Sequence, residues 1–310
     1  MTNPIIIDDK SRPRSPTIGG RLYALFLKSE ALRGYTLLSP TLLLMIAAMC
    51  LPFGIMVVIS FWTQVGFEFN KGFYLSNYAE FLERPAYGAL LMRSLSISAA
   101  CTVATVLLAY PMAYYVAFHV HKHKMAWIIL MTLPFWTSYL LRVFAWKIIL
   151  GFNGVINSGL MGIGIIQEPL EFLLYSPSAV VVTLTHAWAA FAILPIYVSL
   201  EKIDRSLLEA ATDLGDGPIK RFFGITLPLS LPGVIAATLM IFIPTVGDYV
   251  TPAMVGGPDG LMIANIIQSQ FGNVNNWPRG AALALVMMLT ITTVSLAYIW
   301  STRWITGKFT

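Results

Sequence analysis

Asp248, Arg142 and His186 are ionisable residues set inside long apolar runs, and the chemistry legible in this sequence begins with them. Such groups are costly to hold in apolar surroundings, so each is a functional candidate by default. Asp248 offers a carboxylate to a cation, while Trp136, Tyr139 and Trp188 offer aromatic faces to the same kind of ligand. Phe135, Tyr139, Arg142 and Trp146 fall on one helical face, which could look into a polar path. Two readings stand side by side for Arg142 and Asp248. One is an ion pair or hydrogen-bonded network that positions helices. The other has Asp248 meeting a cationic substrate, against which Arg142 argues unless it is already paired. His186 reads as a structural histidine with its hydrogen bonds satisfied.

The second suggestive stretch is EAATDLGDGPIKRFFGITLP, Glu209 to Pro228, a polar elbow between two apolar runs. Leu207, Ala210, Ala211 and Leu214 recur at three and four residues, so Ser206 to Leu214 is predicted to be a short helix. Gly215 then stands where a left-handed residue ends a helix, and Pro218 suits the first position of the next one. The small side chains of Ala210 and Ala211 let another surface approach closely, with Glu209 and Asp213 as flanking charges.

Other chemistry is missing. No G-x-x-x-x-G-K-[ST] phosphate loop, H-E-x-x-H or G-x-S-x-G occurs; TGKFT at residues 306–310 lacks the upstream glycine. His119, His121 and His123 alternate with Lys122 and Lys124, which suits a basic turn at a membrane surface better than a metal site. Cys50 and Cys101 both lie in apolar runs and read as small packing residues.

The elements that must position these residues follow from composition. Of 310 residues, 57% are hydrophobic and only 11% charged, against roughly 25% charged in soluble domains. Six apolar runs, about 37–62, 91–118, 126–150, 178–200, 231–250 and 281–301, are each long enough to cross a bilayer as a helix. The expected fold is therefore an all-α integral membrane protein with six transmembrane helices. Fourteen Lys and Arg residues fall on one side of these spans and three on the other, which places both termini in the cytoplasm. The net charge of +5 is thus a topology signal, and nothing points to nucleic acid. Residues 1–36 form a cytoplasmic arm, with 21–33 suited to an interfacial helix; 37–301 form the membrane domain, and 302–310 a cytoplasmic tail. Outer loops run over 63–90, 151–177 and 251–280, the last containing a short helix at 261–271. Pro52, Pro111, Pro134, Pro195 and Pro244 each sit inside a span, as a kink or as a broken helix beside a path.

Glu209, Ala210, Ala211, Gly215, Ile225, Leu227 and Pro228 together, with their spacing, resemble the EAA loop of permease subunits of binding-protein-dependent ABC importers. The resemblance implies the type I importer permease fold. It makes 209–215, Asp213 included, the coupling helix that docks on an ATP-hydrolysing subunit, within a loop of about 201–229; Ile225, Leu227 and Pro228 are its scaffold. Residues 133–150, 247–267 and 275–282 resemble segments of permeases that import spermidine and putrescine, and the likeness covers roughly 35–300. Relatives that import iron, thiamine, opines or other amines share parts of these segments, and an amino-acid derivative is a further alternative. The implied setting is the bacterial cytoplasmic membrane. The implied partners are an ABC ATPase dimer carrying ATP and Mg²⁺, a second permease, identical or homologous, and an extracytoplasmic substrate-binding protein. On this reading the chain itself is no enzyme and holds no cofactor. An ion-coupled secondary transporter is the contrasting possibility. It would need intramembrane carboxylates of its own, and Asp248 is the only acid expected within a span.

Overall fold

The computed structural model describes residues 29–306; most of the basic arm, residues 21–28 of its expected interfacial helix at 21–33 and the last four residues of the tail lie outside the described residues. The chain forms two compact units, Met1–Met56 and Val57–Thr310. The described part of the first belongs to one helix, α1 (Glu30–Ser60).

The second unit continues with a small hairpin, β1 (Thr63–Val65) and β2 (Glu68–Asn70), turned by Gly66 at positive φ. The helices α2 (Ser76–Glu83), α3 (Pro85–Phe118), α4 (Lys124–Thr132), α5 (Tyr139–Leu150), α6 (Val155–Gly162) and α7 (Pro177–Glu201) follow. Next come α8 (Arg205–Asp213), α9 (Pro218–Arg221), α10 (Leu227–Val246), α11 (Gly257–Gly260), α12 (Ile263–Phe271) and α13 (Trp277–Thr306). Among the described residues, six helical segments are long and apolar enough to cross a membrane: Gly34–Ser60, Pro85–Phe118, Tyr139–Gly162, Pro177–Glu201, Pro218–Val246 and Trp277–Trp304.

Helix α3 packs most extensively on α7, and α7 in turn on α10. Cys101, Thr105, Ala109, Ala113 and Ala117 recur every fourth residue of α3 and are all buried. Such a row of small side chains brings helices close without a hydrophobic driving force. Gly233 does the same on α10: a Cβ there would lie 2.5 Å from both Pro195 O and Ser199 Cβ of α7, so only glycine fits. Leu107, Leu141, Leu289 and Trp300 stay exposed on outward faces, where hydrocarbon rather than water is the solvent.

Two expected spans change. The run 126–150 is not one helix. It is α4, a 3₁₀ turn at Leu133–Trp136, an extended link at Thr137 and Ser138, and then α5. Pro134 thus marks a true break, whereas Pro52, Pro111, Pro195 and Pro244 remain inside continuous helices. The run 231–250 ends early: α10 stops at Val246, and Asp248 lies in the turn beyond it rather than within a span.

Candidate functional site

The break in the third apolar run builds a cavity. A helix interrupted inside a bilayer frees carbonyls that need other partners. Arg142, buried at the second turn of α5, supplies them: Nη2 donates to Phe135 O (3.1 Å) and Thr137 O (3.0 Å), and Nη1 to Ala187 O on α7 (2.8 Å). The guanidinium is therefore committed to backbone on both sides of the break and to α7, and the expected direct pair with Asp248 does not form. A network positions the helices, as one reading held, but its acceptors are carbonyls.

Asp248 is held separately. Its Oδ1 accepts from the backbone N–H of Val250 (2.9 Å) and, more weakly, of Thr251 (3.4 Å), which starts the next helical stretch. Its Oδ2 accepts from the Tyr139 hydroxyl. Tyr139 has one proton and gives it to Asp248, so at the 2.6 Å contact with Thr251 Oγ1 the threonine hydroxyl is the donor. Tyr139, Arg142, Trp188 and Asp248 all line one cavity of about 510 Å³, with Phe135, Thr137, Phe191 and Pro244. The rings of Phe135 and Phe191 meet edge to face at 4.7 Å, and Trp188 and Phe191 lie at 5.2 Å. The result is a carboxylate at the rim of an aromatic chamber, the arrangement suited to an ammonium group.

Two expected members sit elsewhere. His186 points away, against Trp146 (5.5 Å) in a second, more apolar cavity of about 530 Å³. Trp146, one turn beyond Arg142 on α5, lines that second cavity, which it shares with Phe135. Trp136 is 82% exposed and outside the chamber. Sequence reasoning missed Phe191 and Thr251. Phe191 follows Trp188 by three residues and so shares its face, a signal that could have found it.

The elbow forms as its residues dictate. Asp204 caps α8 by accepting from Ser206 N–H at 3.0 Å. That backbone bond, with the Ser206 hydroxyl second, holds the Asp204 carboxyl below its ordinary pKa. At the other end Gly215 takes φ +88°. Its N–H bonds Thr212 O (2.9 Å) and that of Asp216 bonds Ala211 O (2.9 Å), the pair of bonds that closes a helix on a left-handed glycine. Pro218 opens α9, as expected. Arg221 Nη1 bonds Thr212 Oγ1 (2.5 Å) and Lys220 pairs with Asp216 (2.5 Å), which ties α8 to α9. Glu209, Ala210, Asp213 and Gly215 are exposed, whereas Ala211 is buried. Ile225 lies in a π turn, Phe222–Thr226, that runs into Leu227 and Pro228 at the head of α10. Pro228 has no N–H to continue the ladder, so the wide turn ends there. Among the described residues, no group of three or more His, Cys, Asp or Glu converges as a metal site would require.

Comparison with known proteins places this geometry. Residues 128–309 match the family described as binding-protein-dependent transport system inner membrane component. The chain is 36% identical over 250 residues to the spermidine/putrescine transport system permease protein PotB of Escherichia coli (strain K12), covering 80% of this chain and 90% of that one. It is 34% identical over 245 residues to PotB of Haemophilus influenzae, covering 79% and 85%. Among solved structures, a chain of a bacterial ABC transporter involved in the import of the acidic polysaccharide alginate superposes with TM-score 0.70 at 16% identity, over 92% of this chain and 99% of that one.

Proposed function

This chain belongs to the family of binding-protein-dependent transport system inner membrane components, and from that premise we propose that it lines the path of an ATP-driven importer of small cationic amines, polyamines of the spermidine and putrescine class. Membership makes it a multi-pass protein of the bacterial inner membrane with the importer permease fold. The observation that carries the substrate reading is the Asp248 carboxylate facing Trp188, Tyr139 and Phe191 in one chamber. The likeness to PotB permeases of spermidine/putrescine transport systems supports it. Arg142 lines the same chamber with its charge unpaired, its Nη atoms held by three carbonyls, so the reading rests on the Asp248 carboxylate reaching the ammonium more closely than the fixed guanidinium does.

On this reading α8 is the handle for a separate ATPase that binds ATP and Mg²⁺. Glu209, Ala210, Asp213 and Gly215 present its exposed face, and Ala211, Ile225, Leu227 and Pro228 hold it to the bundle. The excess of Lys and Arg on the α8 side of the spans supports a cytoplasmic position for that handle. A second permease completes the path, and a binding protein delivers substrate to the outer loops.

The test is ATP-dependent uptake of spermidine and putrescine into proteoliposomes that hold the permeases, the ATPase and the binding protein. Saturable uptake that stops without the ATPase is expected. Uptake that persists without it would instead make this an ion-coupled carrier, and uptake of thiamine or iron but not of amines would replace the substrate class.

A further inference from the structure

Four elements meet at one carbonyl on the α8 side of the bundle. Ala117 O belongs to the last turn of α3, where carbonyls lack partners within the helix. Lys124 Nζ donates to it at 3.0 Å and Arg205 Nη2 at 3.3 Å. Lys124 also grips Glu201, at 2.7 Å to Oε1 and 2.9 Å to Oε2. Ala117 lies in the last turn of α3, Lys124 begins α4, Glu201 ends α7 and Arg205 begins α8. The lysine side chain is 21% exposed and the glutamate 41%, so the pair is only partly screened by solvent.

Local structure does not explain Lys124. A cation at the first position of a helix opposes the helix dipole, and the preceding His123 sits at φ +59°. Both features suit the contacts that Lys124 makes to α3 and α7 rather than α4 itself. Helix α4 and its 3₁₀ extension then run 13 residues, Lys124–Trp136, about 20 Å at helical rise. Near their far end is Phe135, whose carbonyl Arg142 holds and whose ring lines the chamber.

We propose that Lys124, Glu201 and Arg205 form the joint through which α8 moves the membrane helices, with α4 carrying the displacement to the chamber. They are positioning residues: Lys124 lies about 20 Å along the helix from the chamber, and Arg205 begins α8 itself, one turn before Glu209. The inference rests on the reading of α8 as the ATPase handle.

The test compares Lys124→Met and Lys124→Arg in the assembled importer in proteoliposomes, measuring assembled complex, ATP hydrolysis and spermidine uptake. With Lys124→Met, uptake per ATP hydrolysed should fall about tenfold while the complex still assembles and hydrolyses ATP. Lys124→Arg should restore most of it, and Glu201→Gln, which leaves the Ala117 bond, should fall between. Uptake per ATP unchanged in Lys124→Met overturns the joint, and so does loss of uptake and hydrolysis in equal proportion. Glu209→Lys separates the underlying reading. If that variant assembles and transports normally, α8 is not the handle. If it fails to assemble while Lys124→Met keeps normal uptake per ATP, only the joint falls.

Discussion

The Tyr139 hydroxyl donates to Asp248 Oδ2, joining the first turn of α5 to the turn that follows α10, two points 109 residues apart in the chain. This bond closes one wall of the chamber and holds the carboxylate among its rings. It also separates two roles of Asp248, capping and charge, that substitutions can test independently.

Asp248→Asn keeps an oxygen for the Val250 and Thr251 amides but removes the charge. The KM for spermidine uptake should rise about tenfold, on the scale of losing an ammonium–carboxylate contact. Protein level and thermal midpoint should hold. Asp248→Ala should in addition destabilise by about 1 kcal/mol, as lost caps do. An unchanged KM in the asparagine variant would leave the carboxylate as a cap only.

Arg142→Lys keeps the charge and loses the geometry. An ammonium cannot span Phe135 O, Thr137 O and Ala187 O together, so two of the three acceptors lose their charged donor. The expected cost is about 2–4 kcal/mol, read as a lower unfolding midpoint in detergent. A midpoint equal to that of the native chain would show that the break is held by other contacts.

Gly215 needs its backbone, not its space. A Cβ there meets nothing within 4 Å, yet φ is +88°. Gly215→Val should cost about 1–2 kcal/mol and release the ATPase during co-purification, while Gly215→Asn, which tolerates the left-handed region, should retain more of it. Equal retention by the two variants would contradict a backbone origin.

Asp204 gives α8 a pH dependence. Its carboxyl is held below the ordinary value by the Ser206 N–H, so the ionised form is favoured in the folded chain. The cap is therefore at full strength above the unfolded pKa and is lost as pH falls through the lowered one. Amide exchange at Ser206–Leu208, relative to the amides of α9, should accelerate below about pH 4. Asp204→Asn, which caps without titrating, should abolish the acceleration.

The elbow was legible because its determinants are local. Gly215 and Pro218 fix a helix end and a helix start by backbone chemistry alone, and both are found where their types require. The chamber was legible only in part, because long-range partners decide it. Pro134 looks the same in sequence as Pro111 or Pro195, yet only near Pro134 does a buried arginine collect the freed carbonyls. Hydropathy carries on past Val246 into Tyr249 and Val250 and hides the end of α10. Gly247 after the last helical residue, with Asp248 two residues before Val250, was the signal to weigh instead. The contacts at Ala117 O were invisible, since its donors come from positions 7 and 88 residues away.

Cys101 lies sealed in the α3 row of small residues, fully buried, while Cys50 on α1 is exposed. A buried thiol is inert, and the chain has two cysteines in all. Replacing Cys50 alone therefore yields a background with no reactive thiol. One new cysteine at the exposed end of α8, at Leu214 for example, would carry a single fluorophore or spin label. The elbow could then be followed in real time through a cycle of ATP binding and hydrolysis, with Cys101 left in place to keep the bundle intact.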